Sequence, residues 1–193
     1  MADGFIRWYR ESGATSVFAD QVKIFEAHGI GLVHPVKGAA VVIDVEGNDV
    51  LMRPEQLGRL LGQRFASITM DWWFTPNVDV VDTYTYEPFG CEIQMLWVDG
   101  LSPEQIDTVE AAIVAATTGL PTPTRAVIVD RRGAVDPDDW DSAVLYEGKR
   151  LPVVRDRVLV REPLRDKLLR ASPELKSEEI GAGLTLLSPA RPF

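Results

Sequence analysis

Between Ala66 and Thr124 the chain has no Lys or Arg at all, while nine carboxylates fall there: Asp71, Asp79, Asp82, Glu87, Glu92, Asp99, Glu104, Asp107 and Glu110. Such a block cannot neutralise phosphates, so with a net charge of -9 nucleic acid is not an expected partner. There is a single Cys, which excludes an internal disulfide and a cysteine-based metal site and fits a reducing compartment. No apolar run approaches the ~20 residues needed to span a bilayer, so no membrane span is expected. The first residues lack a basic segment followed by an apolar stretch, and the cytoplasm is the expected location. Gly29-Ile30-Gly31 lacks a third glycine in register, and the P-loop, nucleophile-elbow and His-Glu-x-x-His patterns are missing. No cofactor is therefore expected. Asp79, Asp82, Glu87 and Glu92 offer only oxygen ligands, which would suit Mg²⁺, Mn²⁺ or Ca²⁺ and not Zn²⁺, but no metal-loop motif accompanies them, so no metal is expected either.

What is present is an ordinary globular composition, 46% hydrophobic and 25% charged over 193 residues, enough for one good core. Its organising stretch is 67–99, which holds three of the five Trp. Three strand-like runs, 67–74, 78–87 and 91–99, are separated by Thr75-Pro76-Asn77 and Pro88-Phe89-Gly90, whose backbone preferences suit tight reversals. This predicts a three-stranded antiparallel meander.

Before it, Phe18, Val22 and Phe25 predict a helix over 14–28, and Phe5, Trp8 and Tyr9 alternate weakly enough to suggest an edge strand. Short strands are expected at 31–35, 39–45 and 50–52. Leu57, Leu60 and Leu61 share a face of a helix over 54–64, whose Gly58 and Gly62 cost about 1 kcal/mol each relative to Ala, which points to close backbone contact on that side. After the meander, Ser102-Pro103-Glu104-Gln105 reads as a capping box opening a helix with Ile106, Val109, Ile113 and Ala116 on its buried stripe. Ala126-Val127-Ile128-Val129 is a strand covered on both faces, and Asp136-Pro137-Asp138-Asp139 opens another helix. Ile113, Val127 and Ile93 are expected to share one core.

From Gly148 the chain turns basic and continues with short apolar pieces, a helix around Leu164, Leu168 and Leu169, and a last strand over 183–187. Up to Thr124 there are seven basic and seventeen acidic residues, against thirteen and twelve beyond it. The two parts are complementary in charge, and the segment 148–193 is expected to wrap the sheet edge within one domain spanning 1–193.

The fold expected is α+β, a mainly antiparallel sheet with the meander at its centre and helices packed chiefly on one face; a mixed sheet is the runner-up. The candidate binding residues are Asp71, Trp72, Trp73, Asp79, Asp82, Tyr84 and Glu87, a set of acids and aromatics on two adjacent strands. Period-two alternation places Asp82 and Tyr84 on one face of their strand and Asp79 and Glu87 on the other, and consecutive Trp72 and Trp73 on opposite faces. One of the two Trp then needs a cover. No nucleophile, base and cofactor pattern is assembled, so the first functional reading is a non-catalytic, inhibitor or immunity-type module docking a basic protein. A pocket at 71–97 in which Asp71 or Asp82 serves as acid or base is the second reading, and a self-associating subunit, a homodimer, the third.

Overall fold

The computed structural model describes residues 4–13, 16–64, 67–87, 89–146, 148 and 150–190. Its elements run β1 (Phe5–Glu11), α1 (Ser16–Ala27), β2 (Ala40–Ile43), β3 (Asp49–Met52), α2 (Pro54–Gly62), β4 (Ser67–Thr75), β5 (Val78–Glu87), β6 (Cys91–Trp97), α3 (Pro103–Gly119), β7 (Thr124–Asp130), α4 (Pro137–Leu145), β8 (Arg157–Val160), α5 (Leu164–Ala171), β9 (Lys176–Gly181) and β10 (Leu184–Ser188). All ten strands join one sheet in the order β3-β2-β4-β5-β6-β1-β7-β8-β10-β9. Every neighbouring pair is antiparallel, so the fold is α+β and the mixed sheet is not formed. The expected positions Ala14, Pro88 and Lys149 lie outside the described residues.

The meander β4-β5-β6 forms as its turn residues require. Trp72 pairs with Val80 and Thr83 with Met95, and Gly90 closes the second turn in the left-handed region that glycine enters without strain. The first strand is the main departure. Instead of an edge, β1 occupies the interior between β6 and β7, with Phe5 to Arg10 all buried. Its alternation looked weak because both of its faces are covered: Phe5 and Tyr9 enter one core while Ile6 and Trp8 enter the other. The segment 31–35 makes two isolated bridges, Gly31 to Trp73 and Val33 to Ala40. The edge strand β9, Lys-Ser-Glu-Glu-Ile-Gly, has no apolar period and takes its form from pairing with β10.

The sheet separates two cores. On one face α1, α2 and α3 deliver Phe18, Phe25, Leu57, Leu61, Val109 and Ile113 onto Trp8, Met70, Trp72, Val80 and Val127. On the other, α4 and α5 bring Trp140 and Leu168 onto Tyr9, Ile93, Ile128, Val158 and Leu187. Three of the five helices among the described residues thus share one face, the larger share, as expected. Ile113 and Val127 share a core, whereas Ile93 belongs to the opposite one, because Glu92, Gln94 and Leu96 take the other parity of β6.

At the start of α3, Gln105 N–H donates to Ser102 Oγ at 3.3 Å and Ser102 N–H donates to Gln105 Oε1 at 2.8 Å, the reciprocal capping box. Asp136 caps α4 in the same sense, accepting from Asp138 N–H at 3.0 Å. The basic segment past Gly148 joins the sheet: β8, β10 and β9 continue it to its far edge. At the start of β8 Arg157 reaches Glu110 of α3 at 2.9 Å, and Arg131, just past β7, reaches Glu110 at 2.7 Å and Asp107 at 2.5 Å. Part of the acidic block is therefore neutralised inside the fold by arginines that follow Thr124.

Candidate functional site

The period of two divides the seven candidate residues between the sheet's faces. Trp72, Asp82 and Tyr84 point toward α1 and α2; Asp71, Trp73, Asp79 and Glu87 point away.

On the covered face Trp72 is fully buried against Phe25, ring centroids 4.6 Å apart, with Phe18 at 6.1 Å. Its indole N–H donates to Asp82 Oδ2 at 2.9 Å, and Gln94 Nε2 donates to the same oxygen at 2.6 Å. Asp82 is 0% exposed, and burial pushes its carboxyl up to about 6 against the pull of these two donors and of Arg10. Beside it lies an arginine fixed on all three nitrogens. Arg10 donates from Nε to Glu92 at 3.1 Å, from one terminal nitrogen to Gln21 Oε1 at 2.8 Å, and from the other to the Tyr84 hydroxyl at 3.2 Å. Its guanidinium stacks 4.7 Å from the Trp8 ring. Burial raises the Tyr84 phenol well above its ordinary value, so it acts here as a hydrogen-bonding group and not as a base. These buried groups cannot meet a protein partner.

The opposite face is different because α4 and α5 cover only part of it. The core they make draws on β6, β1, β7, β8 and β10 and on none of β2 to β5. Among the described residues the quadrant β3-β2-β4-β5 is left without a helix. Trp73, Asp79, Val81, Thr83, Thr85 and Glu87 are half-exposed along it, Asp49 is exposed and Leu51 is 53% exposed. Trp73 leans on the His34 ring at 4.3 Å, and its buried indole N–H has no partner among the described residues. Asp71 sits on this face but is nearly closed off, with a buried Oδ1 that has no partner among the described residues. Burial first, then the negative Asp79 and Asp49, push its carboxyl up to about 7, with Lys37 opposing. Lys37 is itself tied to Asp49 at 2.5 Å. Strands β2 to β5 contribute no Lys or Arg of their own.

The two raised carboxyls, Asp71 and Asp82, lie on opposite sides of the sheet and cannot act as an acid and base pair. Cys91 is buried, and its thiol is pushed up to about 12 mainly by burial, which removes it as a thiolate nucleophile. Among the described residues no three His, Cys, Asp or Glu side chains converge as metal ligands would. Among the same residues no helix is long and apolar enough to cross a membrane.

Sequence reasoning passed over Arg10 and Gln21, which organise the covered side. The one signal for Arg10 was that it and Arg7 interrupt the apolar run Phe-Ile-Arg-Trp-Tyr-Arg. Gln21 carried none. No family model, no curated protein and no solved structure matches this chain.

Proposed function

We propose that the chain is a non-catalytic binding module that docks a basic protein on the helix-free quadrant β3-β2-β4-β5. A single observation supports it: a sheet face over which no helix of the described residues packs carries Trp73, Leu51 and Val81 together with Asp49, Asp79 and Glu87, and the strands that build it hold no cation, Lys37 of the preceding turn being tied to Asp49. A half-exposed Trp beside aliphatic side chains is the usual anchor of an interface, and a rim of one charge sign steers an oppositely charged partner. Asp71, beneath this surface, contributes to the local field more than to contact. Trp72, Asp82 and Tyr84 hold the platform from behind.

An inhibitor or immunity-type protein acting in the cytoplasm fits this arrangement, since it needs affinity and fast association but no reactive group. Self-association through the same quadrant would bring like carboxylates together, which makes a homodimer the weaker reading.

The test is a binding footprint. In an amide NMR titration at low salt with a small basic protein such as lysozyme, the shifts should centre on Trp73, Val81, Thr83 and Thr85, weaken with salt, and fade in Asp79→Asn/Glu87→Gln. In parallel, the wild type should retain from its native cytoplasm a basic protein that Trp73→Ala loses. Shifts centred elsewhere, or retention indifferent to Trp73, would overturn the reading.

A further inference from the structure

The interior glycine of α2 is costly and its neighbours do not demand it. Gly58 is about 1 kcal/mol less favourable than Ala in a helix. A Cβ built there would meet only the Phe18 ring, at 3.7 Å, an ordinary contact. Close packing, the expected reason for this glycine, is therefore not the reason. Gly58 instead forms part of the wall of a cavity of about 340 Å³ between α1, α2 and the sheet. Gly13 and Gly62 also line it, as do the apolar side chains of Val17, Phe18 and Leu61.

The polar lining is uneven in charge. Arg10, Arg64 and Glu92 line the cavity with Tyr84, giving two guanidiniums to one carboxylate. Arg10 is 1% exposed and its pairing with Glu92 is nearly dry. A buried ion pair of this kind adds little stability over apolar side chains of the same size, so its presence asks for a use. Three of the five N–H groups of Arg10 go to Glu92, Gln21 and Tyr84, and two remain without a partner among the described residues. Arg64 is exposed, lies 5.3 Å from the Tyr86 ring, and has a backbone φ of 57°, a left-handed conformation unfavourable for a side chain of this size. Its guanidinium, set over the Tyr86 ring, lines the cavity.

We propose that this cavity is a binding site for a small organic anion, a carboxylate with an apolar body, whose head sits between Arg10 and Arg64 and whose body lies against Val17, Phe18 and Leu61. At the share of ~30 Å³ that each water takes in the liquid, the space suits a ligand of about ten non-hydrogen atoms. Gly58 keeps it open, whereas Gly13 is required by close packing, since a Cβ there would strike Thr122 and Val17. The site is on the opposite face of the sheet from the acidic quadrant and does not depend on what docks there.

The probes are benzoate and its neutral counterpart benzamide, titrated into the full chain by calorimetry and amide NMR. Benzoate should give saturable shifts at Gly13, Gly58 and Gly62, and benzamide should bind about tenfold more weakly or worse, the loss expected for a charge-assisted hydrogen bond. Arg64→Ala, an exposed change that spares the fold, should weaken benzoate by a similar factor. Gly58→Leu should fill the space, raise the melting temperature and abolish the shifts. Equal binding of benzoate and benzamide, indifference to Arg64→Ala, or no saturable shift from any of benzoate, hexanoate and phenyl phosphate at millimolar concentration would overturn the proposal.

Discussion

Trp72 and Trp73 are neighbours in sequence and opposites in circumstance. The first is packed beneath two Phe rings with its indole hydrogen-bonded to Asp82; the second is half-exposed beside His34 with its indole N–H unpaired among the described residues. The same contrast runs along β5, where Asp82 and Tyr84 belong to a dry network and Asp79 and Glu87 to a wet, one-signed surface. One face of the meander is therefore committed to holding the sheet together. The other is released from that duty because α4 and α5 sit farther along the sheet, and residue types that look alike on paper acquire different work from the helices laid over them.

The sharpest way to break this contrast is to truncate each Trp in turn. Trp72→Ala should cost ~3 to 5 kcal/mol in denaturant unfolding and Trp73→Ala ~1 kcal/mol or less. Equal losses would mean that the quadrant is not bare.

Next in size come the two raised carboxyls. The ordinary value for Asp is 3.8, and Asp82 is raised to about 6 in the fold. The folded state thus holds its proton more tightly than the unfolded chain, so the destabilisation is absent below pH 4, grows from pH 4 to 6 and is complete above. Asp82→Asn should raise stability by ~2 kcal/mol at pH 8 and leave it nearly unchanged at pH 4. Asn can keep both donors on its one carbonyl oxygen. For Asp71, raised to about 7, the window extends from pH 4 to 7 and the gain of Asp71→Asn is smaller, ~1 kcal/mol, because water screens part of the face it lies on. A stability difference that does not vary with pH in either variant would contradict the burial drawn here.

Gly58→Ala should stabilise by ~0.5 to 1 kcal/mol, since the methyl group fits. A loss in thermal unfolding would show that the wall of the cavity is tighter than its geometry. Smallest of all, Asp79→Asn/Glu87→Gln should move stability by no more than ~0.5 kcal/mol while slowing association with a basic protein and flattening its salt dependence, read by stopped flow at two ionic strengths.

Much of this was written plainly in the residues. Pro76-Asn77 and Gly90 announce the meander, Ser102 and Gln105 announce α3, and the alternation of β5 already separated Asp82 from Asp79. What could not be read was anything that depends on cover. The strand β1 has apolar and charged residues of both parities because two cores enclose it, and the pattern that marks a strand is erased there. Ile93 was assigned to the wrong core for a related reason: adjacency in sequence says which strands are near, while parity says which side they serve. β9 has no apolar rhythm since its pairing with β10 is what shapes it. The acids were legible as a block, but which of them would be dry depended on where α1 and α4 came to rest. Arg10 looked like an edge residue until three partners from α1, β5 and β6 converged on it.

The place of β1 has a consequence for how the molecule comes into being on the ribosome. The strand emerges early, yet both neighbours it hydrogen-bonds come much later, Arg7 meeting Met95 on one side and Ile128 on the other. It must wait unpaired until β6 has been synthesised, and the sheet cannot be made continuous until β7 has left the exit tunnel. Closing such long loops is slow, and an apolar strand kept waiting is exposed to wrong partners. Folding in vivo should therefore be completed late and in a single step, with β1 as the strand that joins the two halves of the sheet.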